Sequence, residues 1–130
     1  MNGAAASSGL IFLGGGLGAV ARYWVGQLVA QRAGAVFPWG TLAVNVSGSF
    51  VIGLFMVVFL RSNWDANWRL FFAVGLLGGY TTFSSFSWEA LGLLQSGSYA
   101  LASAYAALSV GLGLGACYLG MVLARVAGAG

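Results

Sequence analysis

Apolar residues run along this chain in long unbroken stretches, not in the alternation of a half-buried strand or the one-sided stripe of a water-facing helix. Four stretches stand out, Ser8 to Ala30, Thr41 to Leu60, Leu70 to Leu94 and Ala100 to Val126. Each is near or above the ~20 residues with which a helix crosses ~30 Å of hydrocarbon. They predict an all-α integral membrane fold with four transmembrane helices in a single domain over residues 1–130. The third stretch carries its own contradiction. Gly78 to Phe86, GGYTTFSSF, packs a Gly-Gly step, four Thr and Ser hydroxyls and two phenylalanines into nine residues of an otherwise apolar run. With no water in the bilayer core, a backbone loosened at Gly78 and Gly79 has to satisfy its amides internally or line a cavity. The third helix is therefore expected to break mid-membrane, and the break is the first place to look for function.

Trp39, Trp64 and Trp68 flank the connections, where amphipathic rings prefer the headgroup layer, and Pro38 and Asn63 mark the same places as turns. The first stretch is read as a retained helix and not a secretory signal, because it lacks a basic leader, is too long and contains Arg22. Arg61, Arg69 and Arg125 fall on the side shared by the N-terminus, the second connection and the C-terminus, with Arg32 opposite. That bias leans toward a cytoplasmic N-terminus. It is small, since Asp65 shares the second connection, and so weak a bias is compatible with insertion in both orientations. No internal repeat is visible. Inverted symmetry of the kind used by transporters would need two oppositely inserted chains, and four spans are few for enclosing a pore.

Composition narrows the chemistry. The chain is 60% hydrophobic and 5% charged, with 22 glycines, no histidine and one cysteine, Cys117. Zinc, haem and Cys or His nucleophiles are nearly excluded, and the short connections leave no room for a soluble catalytic domain. No nucleophile–base pair or metal-ligand set points to an enzyme. The net charge of +3 comes from scattered arginines, which argues against a nucleic-acid patch and gives a mildly positive field favouring anions.

Within the spans, Gly14, Gly18, Arg22 and Gly26 recur every four residues along one ridge. The glycines read as close helix packing. Arg22 reads either as a functional group or as a side chain that snorkels to the interface. Asn45, Gly48, Ser49 and Gly53 share a face of the second span, as pore lining or as interhelical glue. Phe83 and Phe86 stack along one side if the turn after the break is helical, beside the hydroxyls of Thr81, Thr82, Ser84, Ser85 and Ser87. Ring edges carry partial positive charge, so edges, hydroxyls and an amide make a track suited to a small hard anion. Glu89, the only acid inside a span, either pairs with Arg22 of the same or another chain or has a gating or proton-coupled role. Tyr105, Ser109 and Gly113 continue the polar theme in the fourth span, and Gly111 and Gly115 form another candidate packing pair.

GGGLGAVARY (Gly14 to Tyr23), the Asn45 and Gly48 face of GTLAVNVSGSFVIG, and GGYTTFSSF resemble the Fluc (CrcB) fluoride channels across all four spans. The resemblance implies an antiparallel, dual-topology homodimer with two pores that passively exports toxic fluoride across the inner (plasma) membrane of a microbial cell. It makes Asn45, Phe83, Phe86, Tyr105 and Ser109 pore residues, with Thr81, Thr82 and Ser84 supplying hydroxyls around the break and Arg22 colouring the vestibule positive. It also implies a structural Na⁺ on the dimer axis, held by backbone carbonyls that map to Gly78 and Thr81. The family's polar track can continue one turn beyond Ser109, where this chain has Gly113, which interrupts the hydroxyl ladder.

Two other classes fit the residues less well. A small proton-coupled exporter of hydrophobic cations, also of four spans and dual topology, would be expected to carry a carboxylate in its first span, where this chain has Arg22. A purely structural subunit would explain the glycine ridges but not the cluster of Thr, Ser and Phe in the third span.

Overall fold

The computed structural model describes residues 3–128, and these are helical apart from short connections. The helices are α1 (Gly3–Ala33), α2 (Trp39–Arg61), α3 (Ala66–Arg69), α4 (Gly78–Tyr80), α5 (Phe83–Gln95) and α6 (Tyr99–Ala127), with a π-helical stretch Leu70–Leu77 between α3 and α4. Four segments are long and apolar enough to cross a membrane: α1, α2, the composite third span Ala66–Gln95, and α6. The four-helix reading of the sequence therefore holds. The connections fall where Pro38 and Asn63 place them, and local chemistry sets each end. Asp65 Oδ1 accepts from the Asn67 amide at 2.8 Å and caps α3. Gly97, at φ +80°, ends α5 in a left-handed turn closed by Ser98 N–H to the Leu93 carbonyl and Gly97 N–H to the Leu94 carbonyl.

Lipid tails are as apolar as Leu, so helices in a bilayer gain little from hiding apolar side chains and associate through close backbone contact. The glycine ridge of α1 supplies such contact. A side chain at Gly14 would collide with the Phe71 carbonyl, and one at Gly18 with the Leu76 carbonyl and the Tyr80 amide. Gly75 answers from the other side, where an added Cβ would come within 3.0 Å of Gly14 Cα. The α1 backbone thus lies directly on the stretch leading to the anomalous segment. That stretch is wound as a π-helix, which the sequence does not foreshadow.

The helices α2 and α6 run side by side in parallel and advance together. Ser49 meets Gly113, Gly53 meets the Cys117 backbone, and Arg61 Nη1 donates to the Arg125 carbonyl at 3.3 Å, which places these two arginines at one end as the charge pattern expects. Gly111 and Gly115, expected to pack closely, meet nothing within the chain; the α6 contacts fall instead on Gly113 and Gly120. Near the first connection, Phe37 closes edge-on over Tyr105, with ring centroids 5.4 Å apart, and Tyr105 is fully buried. At the second connection, Trp64 and Trp68 join Phe55 and Phe72 in an aromatic cluster. Both tryptophans are half exposed, as interfacial anchors should be.

The α1 contact gives a measurable contrast. Gly18→Ala is expected to destabilise the protein by about 1–3 kcal/mol, the usual cost of overpacking. Gly16→Ala, where an added Cβ meets nothing, should be neutral or stabilise by up to about 1 kcal/mol, the helix preference of Ala over Gly. Denaturation of the protein in detergent, followed by tryptophan fluorescence, checks both; equal effects at the two positions would refute the contact.

Candidate functional site

The interruption of the third span lies at Thr81 and Thr82, not at the Gly-Gly step. Gly78 and Gly79 remain helical in α4, while Thr81 (ψ 155°) and Thr82 (φ −151°, ψ 112°) are extended. Two β-branched residues in succession favour extended backbone. The groups set free are then taken up by side chains. Asn45 on α2 pairs with both sides of Thr82: its Oδ1 accepts from the Thr82 amide at 2.7 Å and its Nδ2 donates to the Thr82 carbonyl at 2.9 Å. Thr82 Oγ1 accepts from the Ser85 amide at 3.2 Å and so caps α5. Of the two sequence readings of Asn45, interhelical glue is directly visible, and one Nδ2 hydrogen is left over for the cavity that Asn45 also lines.

These side-chain bonds have a consequence for the carbonyls four residues earlier. The Thr82 amide goes to Asn45 and not to the Gly78 carbonyl, and the Ser85 amide goes to Thr82 Oγ1 and not to the Thr81 carbonyl. Gly78 and Thr81 therefore present backbone oxygens without a helical donor. The intervening Gly79 carbonyl is taken by Arg22 Nε at 3.1 Å. Tyr80 OH and Ser47 Oγ, 2.9 Å apart, tie the last turn of α4 to α2.

A cavity of about 390 Å³ opens beside the break. Asn45, Thr82, Phe83, Phe86 and Ser109 line it, with Gly78 and Thr81 at its edge. Phe83 and Phe86 lie along one side because the turn after the break is helical, but their rings are tilted by 43° and not stacked, with centroids 5.5 Å apart. Ser109 Oγ is buried and has no hydrogen-bond partner. Phe83 is 78% exposed in the single chain, so the cavity is open on that side.

One turn away lies a second polar layer. Glu89 Oε1 accepts from Thr41 Oγ1 and Oε2 from Tyr105 OH, both at 2.7 Å. Each member sits four or three residues from a member of the first layer: Thr41 from Asn45, Glu89 from Phe86, Tyr105 from Ser109. Phe86 and Tyr105 join the layers edge to face, centroids 5.0 Å apart. Thr41 and Glu89 also line another cavity, about 470 Å³, together with Arg22 and Gln27 near the first connection. The layer of Thr41, Glu89 and Tyr105 thus stands between two spaces.

The predicted site residues sort accordingly. Asn45, Thr82, Phe83, Phe86 and Ser109 come together around the first cavity, and Arg22 and Glu89 around the second. Tyr105 is a buried strut holding Glu89, and Ser84 Oγ reaches only the Thr82 hydroxyl, at 3.3 Å. Within the chain, Glu89 bonds to the hydroxyls of Thr41 and Tyr105 and Arg22 to a backbone carbonyl, so of the two readings of Glu89 the pairing with Arg22 is not made inside one chain. Thr41 was not singled out in the sequence; its signal was the four-residue step back from Asn45 on the same helix face.

A multi-span helical protein with ionisable and polar groups turned toward intramembrane cavities is of the channel and transporter class. The chain belongs to the CrcB family: the family described as "CrcB-like protein, Camphor Resistance (CrcB)" matches residues 9–121. Among its relatives, the "Fluoride-specific ion channel FluC" of Rhizobium meliloti (strain 1021) is 49% identical over 118 residues, 89% of this chain and 94% of that one. The protein of the same name in Solibacter usitatus is 49% identical over 117 residues, covering 89% and 96%. That in Thermus thermophilus is 51% identical over 111 residues, covering 85% and 89%.

The Asn45 clamp is directly testable. Asn45→Ala leaves both peptide groups of Thr82 unpaired away from bulk water, at about 1–3 kcal/mol for each. A clear fall in denaturation midpoint in detergent is expected, and an unchanged midpoint would remove the clamp from the fold.

Proposed function

We propose that the protein is a passive fluoride channel of the bacterial inner membrane, exporting cytoplasmic fluoride along the polar layers just described. The identity of the ion rests on near full-length relatives named fluoride-specific ion channels. The observation that carries the conducting path is the Ser109 hydroxyl, buried without a partner in a cavity whose other walls include the Asn45 amide and the two phenylalanine rings. A buried polar group without a hydrogen bond is the exception in folded proteins, and a water or an ion in the adjoining cavity would satisfy it. Fluoride is small, strongly hydrated and a hydrogen-bond acceptor only. Ser109 Oγ–H, the second Asn45 Nδ2 hydrogen and the positive ring edges of Phe83 and Phe86 would replace its water step by step.

The second layer suits the entry to this path. Arg22 lines the outer cavity together with Thr41 and Glu89. Thr41 and Tyr105 hydroxyls, held by Glu89 in the resting arrangement, become donors to the ion when they turn from the carboxylate. Hydroxyls that exchange one acceptor for another bind strongly enough to admit the ion and weakly enough to release it. Ser84 and Thr82 support the break and the cap of α5 more than the path itself. The exporter reading lacks its first-span carboxylate, since α1 carries Arg22 there.

The working unit is an antiparallel dual-topology homodimer with two pores, each third span being broken at mid-membrane depth. Support comes from Phe83, whose exposure leaves the cavity open on one side, and from the weak charge bias of the connections. The Gly78 and Thr81 carbonyls, free of helical donors and with Gly78 exposed, fit a hard cation. Together with the same pair from the partner chain they would hold a structural Na⁺ on the dimer axis, where the cation would neutralise oxygens that no amide reaches.

Purified protein in liposomes should release fluoride and retain chloride; equal release of both, or of neither, would reject the channel. Phe83→Ile and Phe86→Ile each remove a ring edge; taking the about 0.5–1.5 kcal/mol of an aromatic edge contact as the scale, fluoride efflux should fall roughly two- to tenfold. Normal flux in both variants would take the rings out of the path. Single cysteines introduced at the connections of a Cys117→Ala background should label from both sides of the membrane, and one-sided labelling would exclude dual insertion.

A further inference from the structure

A guanidinium inside an apolar span is commonly explained by its charge, but the geometry of Arg22 points to another use. Gly14 and Gly18 bring α1 onto the backbone from Phe71 to Tyr80. One turn beyond Gly18, Arg22 crosses that contact and donates through Nε to the Gly79 carbonyl at 3.1 Å. Gly79 lies between Gly78 and the break, and a side chain there would collide with the Gly15 carbonyl. No side chain of its own can therefore hold that peptide. Its orientation is set from α1, by the same ridge that makes the close approach.

We propose that Arg22 is a positioning residue for the third-span break, acting through the Nε–H bond to Gly79 and not through its charge. Gly78, Gly79 and Tyr80 form one helical turn, so a bond that holds the Gly79 carbonyl restrains the orientation of the turn that carries the Gly78 carbonyl. Asn45 does the same from the far side of the break by gripping Thr82 at both polar atoms. Arg22 thus holds the helical turn before the break from α1, and Asn45 holds the extended Thr82 from α2. Toward a cation held by the Gly78 and Thr81 carbonyls, positive charge at Arg22 is unfavourable; only its hydrogen bond serves that geometry. The inference rests on the reading of the break as the centre of function, but the hydrogen bond itself is testable without flux.

Gln and Lys separate the two roles. The amide nitrogen of Gln lies the same number of bonds from the backbone as Arg Nε and keeps a donor without charge; Lys keeps the charge and moves the donor outward. Gly79–Tyr80 is the only Gly-Tyr step in the sequence. Protein labelled with ¹³C-carbonyl glycine and ¹⁵N-tyrosine therefore gives one carbonyl–amide correlation, which reports the Gly79 carbonyl alone. Its carbonyl shift should stay near the parent value in Arg22→Gln and move in Arg22→Lys and Arg22→Leu. Fluoride efflux is expected to be at least about tenfold lower in Arg22→Lys than in Arg22→Gln, the equivalent of ~1.4 kcal/mol.

A Gly79 signal unmoved in Arg22→Leu would overturn the proposal outright. So would efflux that follows charge, retained with Lys and lost with Gln, or efflux retained in both. Absence of fluoride efflux from the parent protein would instead defeat the channel reading and leave the Gly79 signal to decide the hydrogen bond.

Discussion

In a bilayer an unpaired peptide group has no water to fall back on, and the extended pair Thr81 and Thr82 creates several such groups at once. Around that constraint most of the polar residues find a purpose. Asn45 closes both sides of the Thr82 peptide, Thr82 closes the first turn of α5, and Arg22 closes Gly79. An interrupted span is stable here because α1 and α2 each lend it a side chain and Thr82 supplies a third from within. What the clamps leave over is equally defined: the oxygens of Gly78 and Thr81, and the cavity edged by Phe83 and Phe86.

Close backbone packing and polar function are linked through the same periodicity. On α1, residues four apart first lose their side chains, at Gly14 and Gly18, and then reach across, at Arg22. On α2 and α6, residues four apart place Thr41 with Tyr105, Asn45 beside Ser109 and Ser49 against Gly113. Because the two helices run parallel and in step, each turn contributes one layer. The ladder stops at Gly113, where the side chain that could extend it is missing; the close backbone approach of the two helices follows at Gly53 and Gly120.

The number of spans, their limits and the anomaly of GGYTTFSSF were legible in the residues, because length, apolarity and helix-breaking composition are local properties. The site of the break was less so. Gly-Gly looks weaker than Thr-Thr by helix propensity, yet Gly78 and Gly79 stay helical because the α1 backbone packs against Gly79, while Thr81 and Thr82 leave the helix with Asn45 ready to receive them. The partners of Glu89 were beyond reach for a similar reason. Charge arithmetic pairs it with Arg22, but α5 faces α2 and α6, so two hydroxyls arrive first. The π-helical stretch Leu70–Leu77 leaves no mark on an apolar sequence, which fits either winding.

The exposure of Phe83 bears on how one chain becomes a working channel. A ring exposed to 78% beside a buried, unpartnered hydroxyl describes half of a wall. Lipid could cover an isolated ring at little cost, but acyl chains on that side would leave Ser109 and the free Asn45 hydrogen facing hydrocarbon, where each is expensive. A second chain in opposite orientation would meet Phe83 with a polar face of its own and complete the donors around the ion. In that proposed arrangement the Gly78 and Thr81 carbonyls would also share the proposed cation. Conduction and assembly would then draw on the same break, which explains why a chain with so few polar residues places so many of them there.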